Sequence, residues 1–119
     1  MIDHLSIGVQ DLERSKRFFL EALKPLAIGV VMEFPGGVGL GEKGKPYFWL
    51  GKGAGSPMHL AFAAPDRKTV DAFYKAALAA GGKDNGPPGI RAHYHPHYYG
   101  AFVFDPDGNN IEAVCHTPG

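Results

Sequence analysis

The chain has 119 residues, with 12 Lys and Arg against 12 Asp and Glu, and a formal net charge of zero. This length fits one domain, and the neutral balance lacks the basic surface that nucleic-acid binding requires. The sequence shows neither the ~18 continuous apolar residues of a membrane span nor a signal-peptide pattern at its start. The single cysteine, Cys115, cannot form an internal disulfide, and we therefore expect a reducing, cytoplasmic location.

The first half predicts a strand, a helix and three more strands. Leu5, Ile7 and Val9 alternate with small or polar residues, as in a half-buried strand. Asp11 can cap the helix that follows, in which apolar residues recur every three to four positions until Pro25 ends it. Glycine-rich turns then separate three short runs, and we expect strands at 28–34, 38–41 and 47–51.

The second half repeats this order after a glycine-rich linker at 51–56. We expect a strand at 58–63, a cap at Asp66 and a helix over 69–80 that ends at two glycines. A long stretch rich in Gly and Pro follows, and no element is assigned to it. The last strands are expected at 99–104 and 110–116, joined by a tight turn at 105–108 whose two aspartates we expect to be structural.

An internal repeat relates the two halves. A shift of 55 residues lays His4 on His59, Asp11 on Asp66 and Phe18 on Phe73, with six identities over positions 4–23. We therefore expect one domain over 1–119, with a first module at about 1–53 and a second at about 57–117. The two modules must bury their sheets together, because one alone has too little core.

Three features carry a resemblance to a known family: His4 in the opening strand, His59 at the equivalent place, and the turn 105–108 followed by Asn109-Asn110-Ile111-Glu112. They resemble the vicinal oxygen chelate superfamily. Its members include glyoxalase I, the extradiol dioxygenases, methylmalonyl-CoA epimerase, and the fosfomycin-resistance and bleomycin-binding proteins. The resemblance implies an α+β fold in which two βαβββ modules form a cupped, mostly antiparallel sheet around a metal cavity, with the helices outside.

His4, His59 and Glu112 are the expected metal ligands. They lie 55 and 53 residues apart, so only the fold can bring them together. Two imidazoles and a carboxylate leave open coordination positions for a substrate, and we expect one divalent ion, Zn, Mn, Fe, Ni or Mg. Many family members have a fourth ligand where this chain has Trp49, and an indole cannot bind a metal. This difference disfavours classical glyoxalase I and agrees with the three-ligand members.

The segment 91–99, with three alternating histidines, allows two interpretations. It could bind a metal by itself, or it could be a loop at the cavity mouth, which we prefer because Pro96 interrupts the strand. The second module is eight residues longer than the first around this loop. As acid or base candidates the loop offers His93, His95 and Tyr99. The expected substrate-binding residues are Tyr47, Trp49, Arg91, Tyr98 and Phe102.

Two functions remain open from the sequence. The first is a metal-dependent lyase, isomerase or dioxygenase that chelates two neighbouring oxygens of a small metabolite and stabilises the charge that develops on them. The alternative is a non-catalytic protein of the bleomycin-resistance type, which would hold a flat ligand or drug between aromatic side chains. In both, the partner is a small molecule rather than a nucleic acid or a membrane. We also expect a homodimer, because exposed strand edges need protection, with each metal site either shared between chains or built from one chain.

Overall fold

The computed structural model describes residues 3–53 and 58–119. Each half contains a strand, a helix and three further strands, as predicted. The first comprises β1 (Leu5–Val9), α1 (Leu12–Leu23), a 3₁₀ turn (Lys24–Leu26), β2 (Gly29–Phe34), β3 (Gly37–Glu42) and β4 (Lys45–Lys52). The second comprises β5 (His59–Ala63), α2 (Arg67–Ala79), β6 (Lys83–Ile90), β7 (Tyr99–Phe104) and β8 (Asn110–Cys115). In the described part of the chain, neither helix has the length and apolar character to cross a bilayer.

The two helices begin at equivalent aspartates. The carboxylate of Asp11 accepts a hydrogen bond from the backbone N–H of Arg14 at 3.1 Å, and that of Asp66 accepts one from Thr69 at 2.7 Å. Each bond satisfies a first-turn N–H that has no partner within the helix. The predicted caps are therefore confirmed, and both modules start their helix in the same way.

Each module forms its own four-stranded sheet. The strand orders are β1-β4-β3-β2 and β5-β8-β7-β6, with the pairs β1–β4 and β5–β8 parallel and the other pairs antiparallel. The predicted α+β fold of two βαβββ modules is confirmed. Within the described residues the two sheets do not join edge to edge, so a single chain does not close them into one cup.

One hydrophobic core connects the modules. The helix α1 packs on β2 and β4, α2 packs on β6, β7 and β8, and the two helices contact each other. Three aromatic rings bridge the halves, because Phe48 lies 4.9 Å from Phe19 and 5.5 Å from Phe62 between ring centres. Since the helices and this core lie on one face of each sheet, the opposite faces are turned outward, away from the core.

The position of strand β6 was not predicted from the sequence, although the repeat implies a strand between α2 and β7. It contains Gly86-Pro87-Pro88-Gly89, and its pairing with β7 shifts register on both sides of Gly86. Proline is tolerated here because β6 is an edge strand, so half of its N–H groups need no partner in the sheet. The predicted linker 51–56 begins with two residues that belong to β4, and residues 54–56 lie outside the described part.

The turn at 105–108 connects the second module to the first. The Asp105 carboxylate accepts hydrogen bonds from the backbone of Asp107 at 3.0 Å and of Asn109 at 2.7 Å. Asp107 in turn accepts bonds from the N–H of Gln10 and the hydroxyl of the buried Ser15, both at 3.1 Å. Both aspartates are therefore structural, as expected, and they hold the start of β8 against the beginning of α1.

Candidate functional site

Glu112 is a buried carboxylate on the outer face of the second sheet. Its neighbours Ile111 and Ala113 point into the core, so the alternation of β8 directs Glu112 to the opposite face. The side chain is only 1% exposed. A buried carboxylate is costly unless it is paired or hydrogen-bonded, and the groups around Glu112 therefore define the site.

Both carboxylate oxygens of Glu112 have partners. The Nε2 atom of His59 lies 2.7 Å from Oε1, and the hydroxyl of Tyr98 donates a hydrogen bond to Oε2. The His59 side chain is 54% exposed. The exposed imidazole of His59 thus lies between solvent and the buried carboxylate. Such a pair is suited to binding an ion or a small molecule.

The Tyr98 hydroxyl is held in its protonated form. Burial raises its pKa above the ordinary value, and the hydrogen bond and negative charge of Glu112 raise it further. At neutral pH the Tyr98 phenol is therefore protonated, and it donates a hydrogen bond to Glu112.

A glycine makes room for this contact. A Cβ atom added at Gly100 would lie 3.2 Å from Cε1 of Tyr98 and 3.4 Å from Oε2 of Glu112, which is tight for any side chain. Gly100 is followed two residues later on the same face by Phe102, whose ring centre lies 6.2 Å from that of His59. The phenol, the carboxylate and the imidazole therefore share one face with an apolar wall.

Arg91 is fixed beside this wall. Its guanidinium donates to the backbone oxygens of Pro87 at 2.7 Å and Gly89 at 2.9 Å, and it lies 5.3 Å from the ring centre of Phe102. The structure thus groups two predicted substrate-binding residues, Arg91 and Phe102, with two predicted ligands, His59 and Glu112. Tyr98 was also predicted to bind substrate, but its hydroxyl is engaged by Glu112.

The donor atoms of His59 and Glu112 suit a divalent metal. Two donors bound to one ion at ~2.1 Å and at right angles lie ~3 Å apart, close to the 2.7 Å observed here. The third predicted ligand, His4, does not lie with His59 and Glu112. Residues 3–53 and 58–119 contain no cluster of three side chains that could bind a metal. His4 instead places Nδ1 2.9 Å from the carboxylate of Asp3, at a cleft of about 1270 Å³ between the modules.

The three acid or base candidates have other partners. The ring centre of His93 is 4.1 Å from that of Tyr94 in the 91–98 loop, and His95 accepts a hydrogen bond from the backbone of His97 at 3.0 Å. Tyr99 points to the helix side of β7, where it donates to Asp71 at 2.6 Å. None of the three is hydrogen-bonded to Glu112 or His59 in the described structure.

The chain resembles known proteins over almost its whole length. Residues 1–113 match the Glyoxalase/Bleomycin resistance protein/Dioxygenase superfamily. The chain is a member of this superfamily. A glyoxalase/bleomycin resistance protein from Albidiferax ferrireducens T118 is 31% identical, with a TM-score of 0.84 over 98% of this chain and 99% of that one. This agreement confirms the resemblance that the histidines and the final turn indicated.

More distant members of the superfamily share the fold. A glyoxalase-related enzyme from Fulvimarina pelagi is 22% identical, with a TM-score of 0.75 over 97% of this chain and 87% of that chain. A lactoylglutathione lyase from Agrobacterium tumefaciens is 18% identical, with a TM-score of 0.73 over 97% and 92%. No protein with a curated function matches the chain. The superfamily is therefore established, whereas the reaction has to be argued from the site.

In this superfamily member, Trp49 occupies the place that Glu112 takes in the second module. Trp49 pairs with Ser6 in the first sheet, as Glu112 pairs with Ala61 in the second. The indole lies over Gly39, where an added Cβ would meet it at 2.7 Å. Tyr47, also a predicted substrate contact, lines the cleft between the modules. The first module thus presents an aromatic surface where the second presents a carboxylate.

Proposed function

We propose that this protein is a metal-dependent lyase, isomerase or dioxygenase that acts on a small oxygenated metabolite. The observation that carries the proposal is the buried Glu112 carboxylate facing the half-exposed imidazole of His59 at 2.7 Å. An imidazole and a carboxylate suit several divalent metals. A divalent ion at this pair would act as a Lewis acid toward two neighbouring oxygens of the bound metabolite.

The side chains around the pair support an anionic substrate. Within the described residues Arg91 forms no ion pair, and two backbone carbonyls hold its guanidinium in place. Such a group can bind a carboxylate or enolate oxygen with two parallel hydrogen bonds. Phe102 supplies an apolar wall between Arg91 and His59. These residues would bind and orient the metabolite over the outer face of the sheet.

We further propose that a second copy of the chain completes the site. His4 directly precedes β1 of the first sheet, whereas Glu112 lies in β8 of the second, and the outer faces of these sheets are turned away from the shared core. A homodimer in which His4 of the partner subunit meets His59 and Glu112 would supply the third ligand. The strands β1 and β5 lie at the edges of their sheets, and each has one partner strand in the described structure. Each therefore offers a free edge to the second copy.

A cytoplasmic location is part of the same proposal. Cys115 is the one cysteine of the chain, and it is buried, with Sγ 2.9 Å from the hydroxyl of Thr117. A single buried thiol suits a reducing compartment.

Metal titration tests the proposed site. We expect the purified protein to bind a divalent ion, and His59→Ala to weaken the affinity by more than about 100-fold, since loss of a ligand should exceed the effect of losing an outer partner. His59 is chosen because its exposed side chain can be removed without opening a cavity. Binding is measured by competition with a chromophoric chelator for Zn, Mn, Ni, Fe and Mg.

The matched control for this titration is His97→Ala. His97 is an exposed histidine of the same module that contacts His95 rather than Glu112. It should leave the affinity unchanged, whereas a loss in His97→Ala that exceeds the loss in His59→Ala would place the metal in the loop. A folded wild-type protein that binds none of these ions at neutral pH would refute the proposal.

A second candidate function is ligand binding without catalysis. The outer face of the first sheet exposes Met32 and Phe34, each about half accessible, and the Phe34 ring lies 5.8 Å from that of Trp49. An apolar surface of this kind, at the position that carries Glu112 in the other module, suits a flat aromatic ligand.

Tryptophan fluorescence separates the two functions, because Trp49 is the only tryptophan. A binding protein is expected to show the same quenching of Trp49 by an aromatic ligand with and without a divalent metal. The metal-dependent enzyme is expected to bind a catechol or 2-hydroxy acid only when the metal is present. The experiment uses His59→Ala as the control that retains the apolar face but lacks the metal ligand.

A further inference from the structure

We propose that Tyr98 is a positioning residue that fixes Glu112 as a one-oxygen metal ligand. This inference rests on the proposed function. The Tyr98 hydroxyl donates a hydrogen bond to Oε2 of Glu112, while Oε1 faces His59. The carboxylate can then offer one oxygen to an ion in a set orientation, and the other oxygen keeps its hydrogen bond.

The loop that carries Tyr98 is closed by its own backbone. The N–H of Arg91 donates to the carbonyl of Tyr98 at 2.8 Å, that of Tyr94 to Arg91 at 2.9 Å, and that of Tyr98 to His95 at 3.1 Å. These bonds hold the phenol at the start of β7 without help from a ligand. The loop occupies the region in which the second module is eight residues longer than the first, so the module that carries Glu112 also carries its partner.

The ring of Tyr98 is held on its sides as well. It packs edge-on against His116, with ring centres 5.2 Å apart and planes at 90°, and its centre is 5.0 Å from that of Tyr94. On the sheet side it lies over Gly100, where any Cβ would come within 3.2 Å. A phenol packed in this way loses little further freedom when it holds Glu112, so its hydrogen bond orients the carboxylate at low entropic cost.

Removal of the hydroxyl should therefore act on the metal rather than on the fold. In Tyr98→Phe the ring keeps its packing, but Oε2 loses its donor. The carboxylate is then free to turn or to bind the ion with both oxygens. We expect the affinity for Zn²⁺ to fall about 10- to 100-fold, as for other partners of metal ligands.

Tyr99→Phe is the matched control. It removes a hydrogen bond of the same kind, from a phenol to the carboxylate of Asp71 at 2.6 Å, on the helix side of β7. Both variants should show similar, small decreases in the midpoint of thermal unfolding. Only Tyr98→Phe should weaken Zn²⁺ binding, and only in Tyr98→Phe should the visible absorption of bound Co²⁺ decrease, because a carboxylate that binds through both oxygens raises the coordination number.

The outcomes separate this inference from the function on which it rests. If the wild-type protein binds no metal, both are wrong. If the wild type binds Zn²⁺ and Tyr98→Phe binds it equally well, only the role of Tyr98 is refuted. Tighter binding by Tyr98→Phe would also refute it, since the phenol would then compete with the ion for Glu112.

Discussion

Phe48→Ala is expected to lower the free energy of unfolding by about 3–5 kcal/mol, as for other buried aromatic residues replaced by alanine. The side chain is 2% exposed and touches Phe19 of the first module and Phe62 of the second. Its truncation would leave a void where the two modules meet. Because domains are stable by only about 5–15 kcal/mol, this one change should remove a large part of the stability.

Urea unfolding followed by circular dichroism measures this effect, with Phe34→Ala as the matched control. Phe34 is 52% exposed on the outer face, and its loss should cost less than about 1 kcal/mol, because little buried area is removed. Phe48→Ala should also unfold in a single transition, since both modules share the core. Two separate transitions would show that the modules do not depend on each other, and equal losses in both variants would show that Phe48 is not a core contact.

The sequence predicts most of this fold because its signals are local and occur twice. Asp11 and Asp66 mark the helix starts through a capping bond that needs only the next three residues. The alternation around Ile111 and Ala113 places Glu112 on the outer face, as the structure shows. Period and capping are properties of short segments, so they can be recognised before the tertiary structure is known.

Two features could not be predicted in this way. The strand β6 contains Pro87 and Pro88, which oppose strand propensity, and it exists because β7 pairs with it at a tolerant edge. The roles of Tyr98 and Tyr99 depend on which of these two tyrosines lies on the same side of the sheet as Glu112. Because the loop before β7 is irregular, the sequence does not show which side chains of β7 point outward and which point to the core. A shift of one residue would move each of them to the other face of the sheet. Gly100 was the available signal, since it leaves space beside Glu112.

The position of His4 raises a different question. The internal repeat places His4 and His59 at equivalent positions. It does not show whether the His4 and the His59 that bind one metal ion come from the same chain. In the structure His4 is 58% exposed and bonded to Asp3, and it directly precedes β1, a strand of the sheet that does not carry Glu112. The side chain is thus available to a second copy of the chain.

Paired variants are expected to restore half of the metal sites if these sites are shared. In a heterodimer of His4→Ala with Glu112→Ala, one site combines both defects. The other combines His4 of the second chain with His59 and Glu112 of the first, and is intact. Co-expression with two different affinity tags isolates this heterodimer, and elemental analysis should find about one ion per two chains, as two-fold symmetry of the interface requires.

Sites built from a single chain predict no bound metal in the same heterodimer, since each chain then lacks one of its own ligands. The two homodimers provide the baseline, and both should be empty at the metal concentration used. A His4→Ala homodimer that binds metal as the wild type does would remove His4 from the ligand set. A monomer mass that does not change with protein concentration would exclude sharing altogether. A restored site, by contrast, can form only if His4 reaches Glu112 across two chains, because no chain in the heterodimer carries both.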